Sequence, residues 1–140
     1  MEVKKIMVAY DGSQGSQKAL EWAVMLAGVH KSDIIVAAVV KPPEFSPSID
    51  EIDEFYADGE KHFRPLLDKA VEYGERLGVG IRSEILRGHP AESIVRHAQD
   101  RRFDLVVMGT RGIGGFKNLI IGSVAQKVVT YAKTPVLVVK

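Results

Sequence analysis

Between Gly109 and Ser123 the chain reads GTRGIGGFKNLIIGS, five glycines and two charges set between two apolar runs. Glycine costs backbone entropy wherever it is used, so this density asks for a reason. Gly109 and Gly112 let a backbone turn tightly and approach a bulky anion with no Cβ in the way, making a nest of N–H groups. Gly122-Ser123 then opens a helix. Ser123 is a good N-cap residue, and a helix N-terminus carries free N–H groups and about half a positive charge. That is phosphate-binding chemistry. Arg111 and Lys117 add positive charge for a polyphosphate. The alternative is a glycine-rich surface loop in which Ser123 serves only as a cap. GIGGFKN lacks the Gly-Lys-Ser/Thr ending of a Walker A loop. A dinucleotide fingerprint belongs after the first strand, where DGSQGS stands instead.

Asp11, at the end of the first apolar run, suits either a phosphoryl acceptor or a magnesium ligand. The plainer reading is a helix-capping Asp. No second carboxylate stands beside it, which favours the second role. His89, before Pro90, reads as a solvated turn histidine, and His30, His62 and His97 lack metal-ligand spacing. Trp22 reads as a packing residue of the first helix. No Ser-His-Asp set is legible, since triads are recognised by geometry. Phosphoryl transfer needs a base or water-positioning residue as well as a cradle, and none is evident. Binding without fast turnover is the expectation, with no catalytic residue assigned.

The elements that must position these residues alternate. Ile6 to Tyr10, Ile34 to Val40 and Leu105 to Met108 are continuous apolar runs, as in strands buried on both faces. Ile81 to Leu86 alternates, and Pro135 to Val139 makes a last strand. Helical spacing runs from Gln17, with Gly28 as its stop, from Pro90 through Ala98, and from Val124 to Ala132. Residues 44–64 are weakly patterned, with Gly59 inside an amphipathic face. They suit a flap over the site, with Phe45 or Tyr56 reaching in, or a helix packed on the body or on a dimer partner. Pro65 marks a kink, or the first turn of a new helix from Leu66 to Leu77. Strands alternating with helices predict a doubly wound α/β layer, a mostly parallel sheet with helices on both faces.

At 140 residues, one domain spanning 1–140 buries roughly 70% of its unfolded surface. A net charge of +1 gives no field for nucleic acid, so no nucleic-acid partner is expected. The absence of cysteine excludes disulfides and thiolate chemistry. No apolar run approaches a membrane span or a signal-peptide core, so no membrane partner is expected and the chain reads as cytoplasmic.

Gly109-x-x-Gly112, nine residues, then Gly122-Ser123 resembles the glycine motif of the ATP-binding branch of the universal stress protein family. KKIMVAYDGSQGSQKALEWA, GHPAESIVRHAQDRRFDLVVMGTRG and TPVLVVK resemble its first strand and helix, its third helix and fourth strand, and its closing strand. The resemblance implies five parallel strands in the order 3-2-1-4-5 and a switch point between strands 1 and 4. It implies adenine near Ala9, Asp11 and Val39. Ribose and phosphates would be held by Met108, Gly109, Gly112, Gly122, Ser123 and Val124. Ala9 stands where the family often has proline, which alters the wall of the base pocket. The ligand implied is ATP, with Mg²⁺ or Mn²⁺ bound through its phosphates. A homodimer through Pro135 to Val139 and a further protein partner are implied too. The function expected is a nucleotide-dependent stress sensor or switch. Its rivals are a slow, partner-stimulated ATPase and an interaction protein that binds no nucleotide. An FMN-binding flavodoxin-like protein is disfavoured, because DGSQGS lacks a Thr-rich phosphate loop.

Overall fold

The computed structural model describes residues 2–44, 48–110 and 121–140. Its strands are β1 (Lys5–Ala9), β2 (Asp33–Val40), β3 (Ile81–Arg87), β4 (Leu105–Gly109) and β5 (Val136–Val139). They form one parallel sheet in the order β3-β2-β1-β4-β5. The helices are α1 (Gln14–His30), α2 (Ile49–Arg76), α3 (Pro90–Asp100) and α4 (Ser123–Tyr131).

The apolar runs form strands because both of their faces are covered. Ile6, Val8, Ile34, Val36 and Val107 pack with Leu20, Ala23, Leu67 and Ala70 of α1 and α2. Their neighbours Met7, Ile35, Ala37, Val106 and Met108 pack with Ile94, Ala98, Ala125 and Val128 of α3 and α4. Each large side chain so buried stabilises the layer by about 1.5–3 kcal/mol. The α/β class and strand order expected from the sequence are those observed.

Two local expectations need correction. Gly28 does not stop α1, which runs on to His30; Lys31, in the left-handed region at φ 57°, closes it by donating to Ala27 O. Residues 49–76 are one helix, with Pro65 inside it rather than opening a second. Pro65 and Lys61, whose carbonyl loses its helical donor, both lie on the exposed side, where water replaces the missing bond. Gly59 is where α2 crosses β2 closely, since a Cβ there would stand 2.6 Å from Cγ1 of Val40. Ser48 caps this helix by accepting from Glu51 N–H, and Asp50 and Glu51 complement its positive end. Phe45 lies outside the described residues.

Candidate functional site

From β1 the sheet grows one way through β2 to β3 and the other way through β4 to β5. The crevice at the carboxyl ends of β1 and β4 is therefore the topological switch point, where such sheets receive ligands. Ala9 closes β1 and is in register with Ala37 of β2; Val39 lies two residues further along β2, as Asp11 lies two beyond Ala9. Met108 and Gly109 close β4. Ala9, Val39, Met108 and Val124 share one apolar cluster beneath α3 and α4. Four of the residues singled out in the sequence are thus brought together on one face, at one end.

Asp11 sits at the mouth of this crevice. Its Oδ1 accepts from Ser13 N–H at 2.9 Å, and Ser13 Oγ in turn accepts from Ser16 N–H at 3.2 Å. The carboxylate thereby shapes the turn into α1, while Ser13 is the cap itself. Tyr10, between Ala9 and Asp11, points to the opposite face and donates to Gln17 Oε1 at 3.1 Å. Burial, and then the charge of Asp11, raise its phenol above the ordinary value of 10.0.

Beyond β4, Thr110 N–H donates to Val139 O at 3.1 Å, and Thr110 O accepts from Gly122 N–H at 2.6 Å. That bond ties residue 110 to the start of α4. The expected role of Ser123 is corrected here. Gly122, in extended backbone at φ −74° and ψ 164°, is the N-cap, because its carbonyl already accepts the first helical bond, from Gln126. Ser123 is the first residue inside the helix. Among the described residues no side chain caps α4, and the N–H groups of Ser123, Val124 and Ala125 have no acceptor within the helix. Gly112, Arg111 and Lys117 lie outside the described residues.

A cavity of about 540 Å³ opens between α3 and α4. Ser123 and Val124 line it, with Pro90, Ala91 and Val95 of α3 and the side chains of Lys41, His89, Glu92, Lys127 and Tyr131. Its size suits a small organic ligand. His89, exposed at the N-cap of α3, is the solvated turn residue expected from the sequence and also lines the cavity. Lys41, Lys127 and Tyr131 were not singled out in the sequence. A signal for two of them existed. Lys41 directly follows β2, and Lys127 lies one turn beyond Ser123 on the same helix face. Among the described residues neither lysine has an ion-pair partner, whereas Glu92 pairs with Arg96 at 3.2 Å. The wall therefore carries unbalanced positive charge. No three His, Asp or Glu side chains converge as a metal cage among the described residues.

The sequence of the chain matches the Universal stress protein family over residues 2–140. The chain belongs to that family. This universal stress protein is 34% identical to universal stress protein YxiE of Bacillus subtilis, covering 97% of this chain and 98% of that one. Its fold follows that of universal stress protein UspA from Lactobacillus plantarum with a TM-score of 0.91 at 24% identity, over 100% and 99% of the two chains. It is also similar to a universal stress protein solved in complex with cAMP, with a TM-score of 0.75 at 26% identity over 98% and 97% of the chains. No described helix is long and apolar enough to cross a membrane.

Proposed function

We propose that this universal stress protein binds an adenine nucleotide at the switch point and acts as a nucleotide-dependent sensor or switch, with slow or no hydrolysis. One observation carries the reading: the N-terminus of α4, with no side-chain cap among the described residues, borders a cavity lined by Ser123 and Val124 together with Lys41 and Lys127. Free N–H groups and unbalanced cations at a helix start are what a phosphate requires. The cAMP complex of a similar protein supports an adenine ligand for this fold.

In this reading Ala9, Val39 and Met108 form the wall against the base, and Asp11 accepts from the ribose. Gly109, Gly112, Gly122, Ser123 and Val124 hold the phosphates through backbone N–H groups and the serine hydroxyl. ATP is the nucleotide proposed, with Mg²⁺ or Mn²⁺ held through its phosphates. A divalent ion of that kind keeps much of its water and needs no all-protein cage. β5 is an edge strand, with Val136, Leu137 and Val138 half-buried. Pairing it with a second copy satisfies an otherwise open edge, which supports a homodimer. A cytoplasmic protein partner that reads the loaded surface completes the switch.

The test is chromatography and mass spectrometry of whatever small molecule leaves the purified protein on acid denaturation, beside a Gly122→Val variant. An adenine nucleotide released by the wild type and missing from the variant is expected. A wild type that releases none, and shows no heat in titration with ATP and Mg²⁺, overturns the proposal. Pocket-dependent release of ADP during incubation with ATP would make the protein a slow ATPase instead.

A further inference from the structure

The turn that carries Asp11 is gripped from two sides. Gly12 stands in the left-handed region at φ 85°, and a Cβ there would lie 2.8 Å from Leu66 Cδ1 and 3.1 Å from Leu66 Cδ2. Glycine is the residue that tolerates both a left-handed backbone and so close an approach. A little further on, Gly15 backs directly onto Gly109 of β4. The second grip is backbone on backbone, but the first is a single side chain reaching in from the middle of α2.

Leu66 is not what anchors α2 to the sheet. Leu67, Ala70 and Gly74 are the buried residues of that helix, whereas Leu66 is half-buried. Successive side chains on a helix point about 100° apart, so Leu67 enters the core while Leu66 turns onto the β1–α1 turn. A turn built on glycine has many backbone conformations open to it. The bond from Ser13 N–H to Asp11 Oδ1 restrains it locally, and Leu66 adds a restraint from a separate element. That leucine packs on the α1 and α2 side of the sheet, opposite the cavity between α3 and α4.

We propose that Leu66 is a positioning residue for the nucleotide site, holding the Asp11 carboxylate in place through Gly12 without touching the ligand. The inference rests on the reading in which Asp11 accepts from a bound nucleotide, but the two can fail separately. Under it α2 serves the site as well as the core, and a shift of α2 alters affinity for the nucleotide. A ligand held by Asp11 steadies α2 in return, because coupling between two sites acts equally in both directions.

The experiment is calorimetric titration with ATP and Mg²⁺ of wild type, Leu66→Ala, Leu66→Met, Asp11→Ala and the variant carrying both alanines. Hydrogen exchange of the Ser13 amide is followed in the empty wild type and Leu66 variants. Leu77→Ala, an exposed change at the far end of α2, is the control. Leu66→Ala is expected to weaken ATP by roughly five- to twentyfold and to speed exchange at Ser13. Leu66→Met refills the space and should stay within about twofold of the wild type. In the Asp11→Ala background the same truncation should change affinity by less than about twofold, since nothing is left to position. Weakening of equal size in both backgrounds, no weakening at all, or unchanged exchange at Ser13 overturns the inference while leaving nucleotide binding intact. If Leu66→Ala does not fold, Leu66→Val carries the same comparison. Absence of ATP binding by the wild type overturns both.

Discussion

Gly109, the last residue of β4, lies back to back with Gly15 in the first turn of α1. A Cβ on Gly109 would stand 2.7 Å from the Gly15 carbonyl carbon and 2.8 Å from its oxygen. Both are backbone atoms, so no side chain can turn aside, and α1 itself would have to move. The glycine motif assigns this residue to a ligand, but the packing of α1 on β4 already requires it. Gly109→Ala should therefore destabilise the empty protein by about 1–3 kcal/mol, a cost of overpacking. Urea denaturation checks this. An unchanged midpoint and slope would mean that the first turn of α1 yields freely.

Gly122 makes the opposite forecast. Its extended backbone is open to any L-residue, so glycine is not needed there for conformation. Gly122→Ser places a hydroxyl that can cap the first turn of α4, and stability without ligand should hold or rise by a few tenths of a kcal/mol. The same hydroxyl competes with phosphate for those N–H groups. The thermal shift on adding ATP should accordingly shrink. A variant that is less stable when empty but binds ATP as well as the wild type would remove Gly122 from the phosphate site.

What was legible in the sequence follows from how local each signal is. Runs such as Ile34 to Val40 can be satisfied only by a strand covered on both faces, so the layered fold could be read directly. Strand order rests on which strands pair across the chain, and only the family resemblance supplied it. The local rules failed where solvent changes their cost. Gly28 is exposed and unpacked, so its helix penalty of about 1 kcal/mol is outweighed by the rest of α1. Pro65 is tolerated because its lost bond faces water. Lys41 and Lys127 look like ordinary solvated lysines, being 86 residues apart in number, until β2 and α4 place them on one cavity. Glycine spacing is local and visible; the convergence of charges is not.

At the opposite end of the sheet, Asp104 holds the start of β4 to the start of β1. Its Oδ2 accepts from the backbone N–H groups of Lys4 and Lys5, both at 2.9 Å, while its own N–H donates to Lys5 O. Asp104→Ala leaves a part-buried donor without its carboxylate and should cost about 1.5–3 kcal/mol. Because this anchor is remote from the cavity, ATP affinity of the folded variant should equal that of the wild type. Denaturation and calorimetry on one preparation test both halves, and weakened binding with unchanged stability would contradict the assignment.

Tyr10 gives a dependence on pH with a definite sign. Burial first, and the nearby negative charge of Asp11 second, raise its phenol above 10.0, so the folded protein keeps this proton to higher pH than the unfolded chain. Above pH 10 the unfolded state therefore binds fewer protons, and stability falls as pH rises. The contribution is complete below the unfolded value and is lost as pH climbs through the folded one. Tyr10→Phe removes the titrating group together with the hydrogen bond to Gln17, at a cost of about 1 kcal/mol near neutrality. The difference in unfolding free energy between wild type and variant should then shrink as pH rises from about 9 to 11. Lysines and the other tyrosines titrate in both proteins and cancel in that difference. A gap that stays constant across this range would mean that Tyr10 ionises alike in the folded and unfolded states.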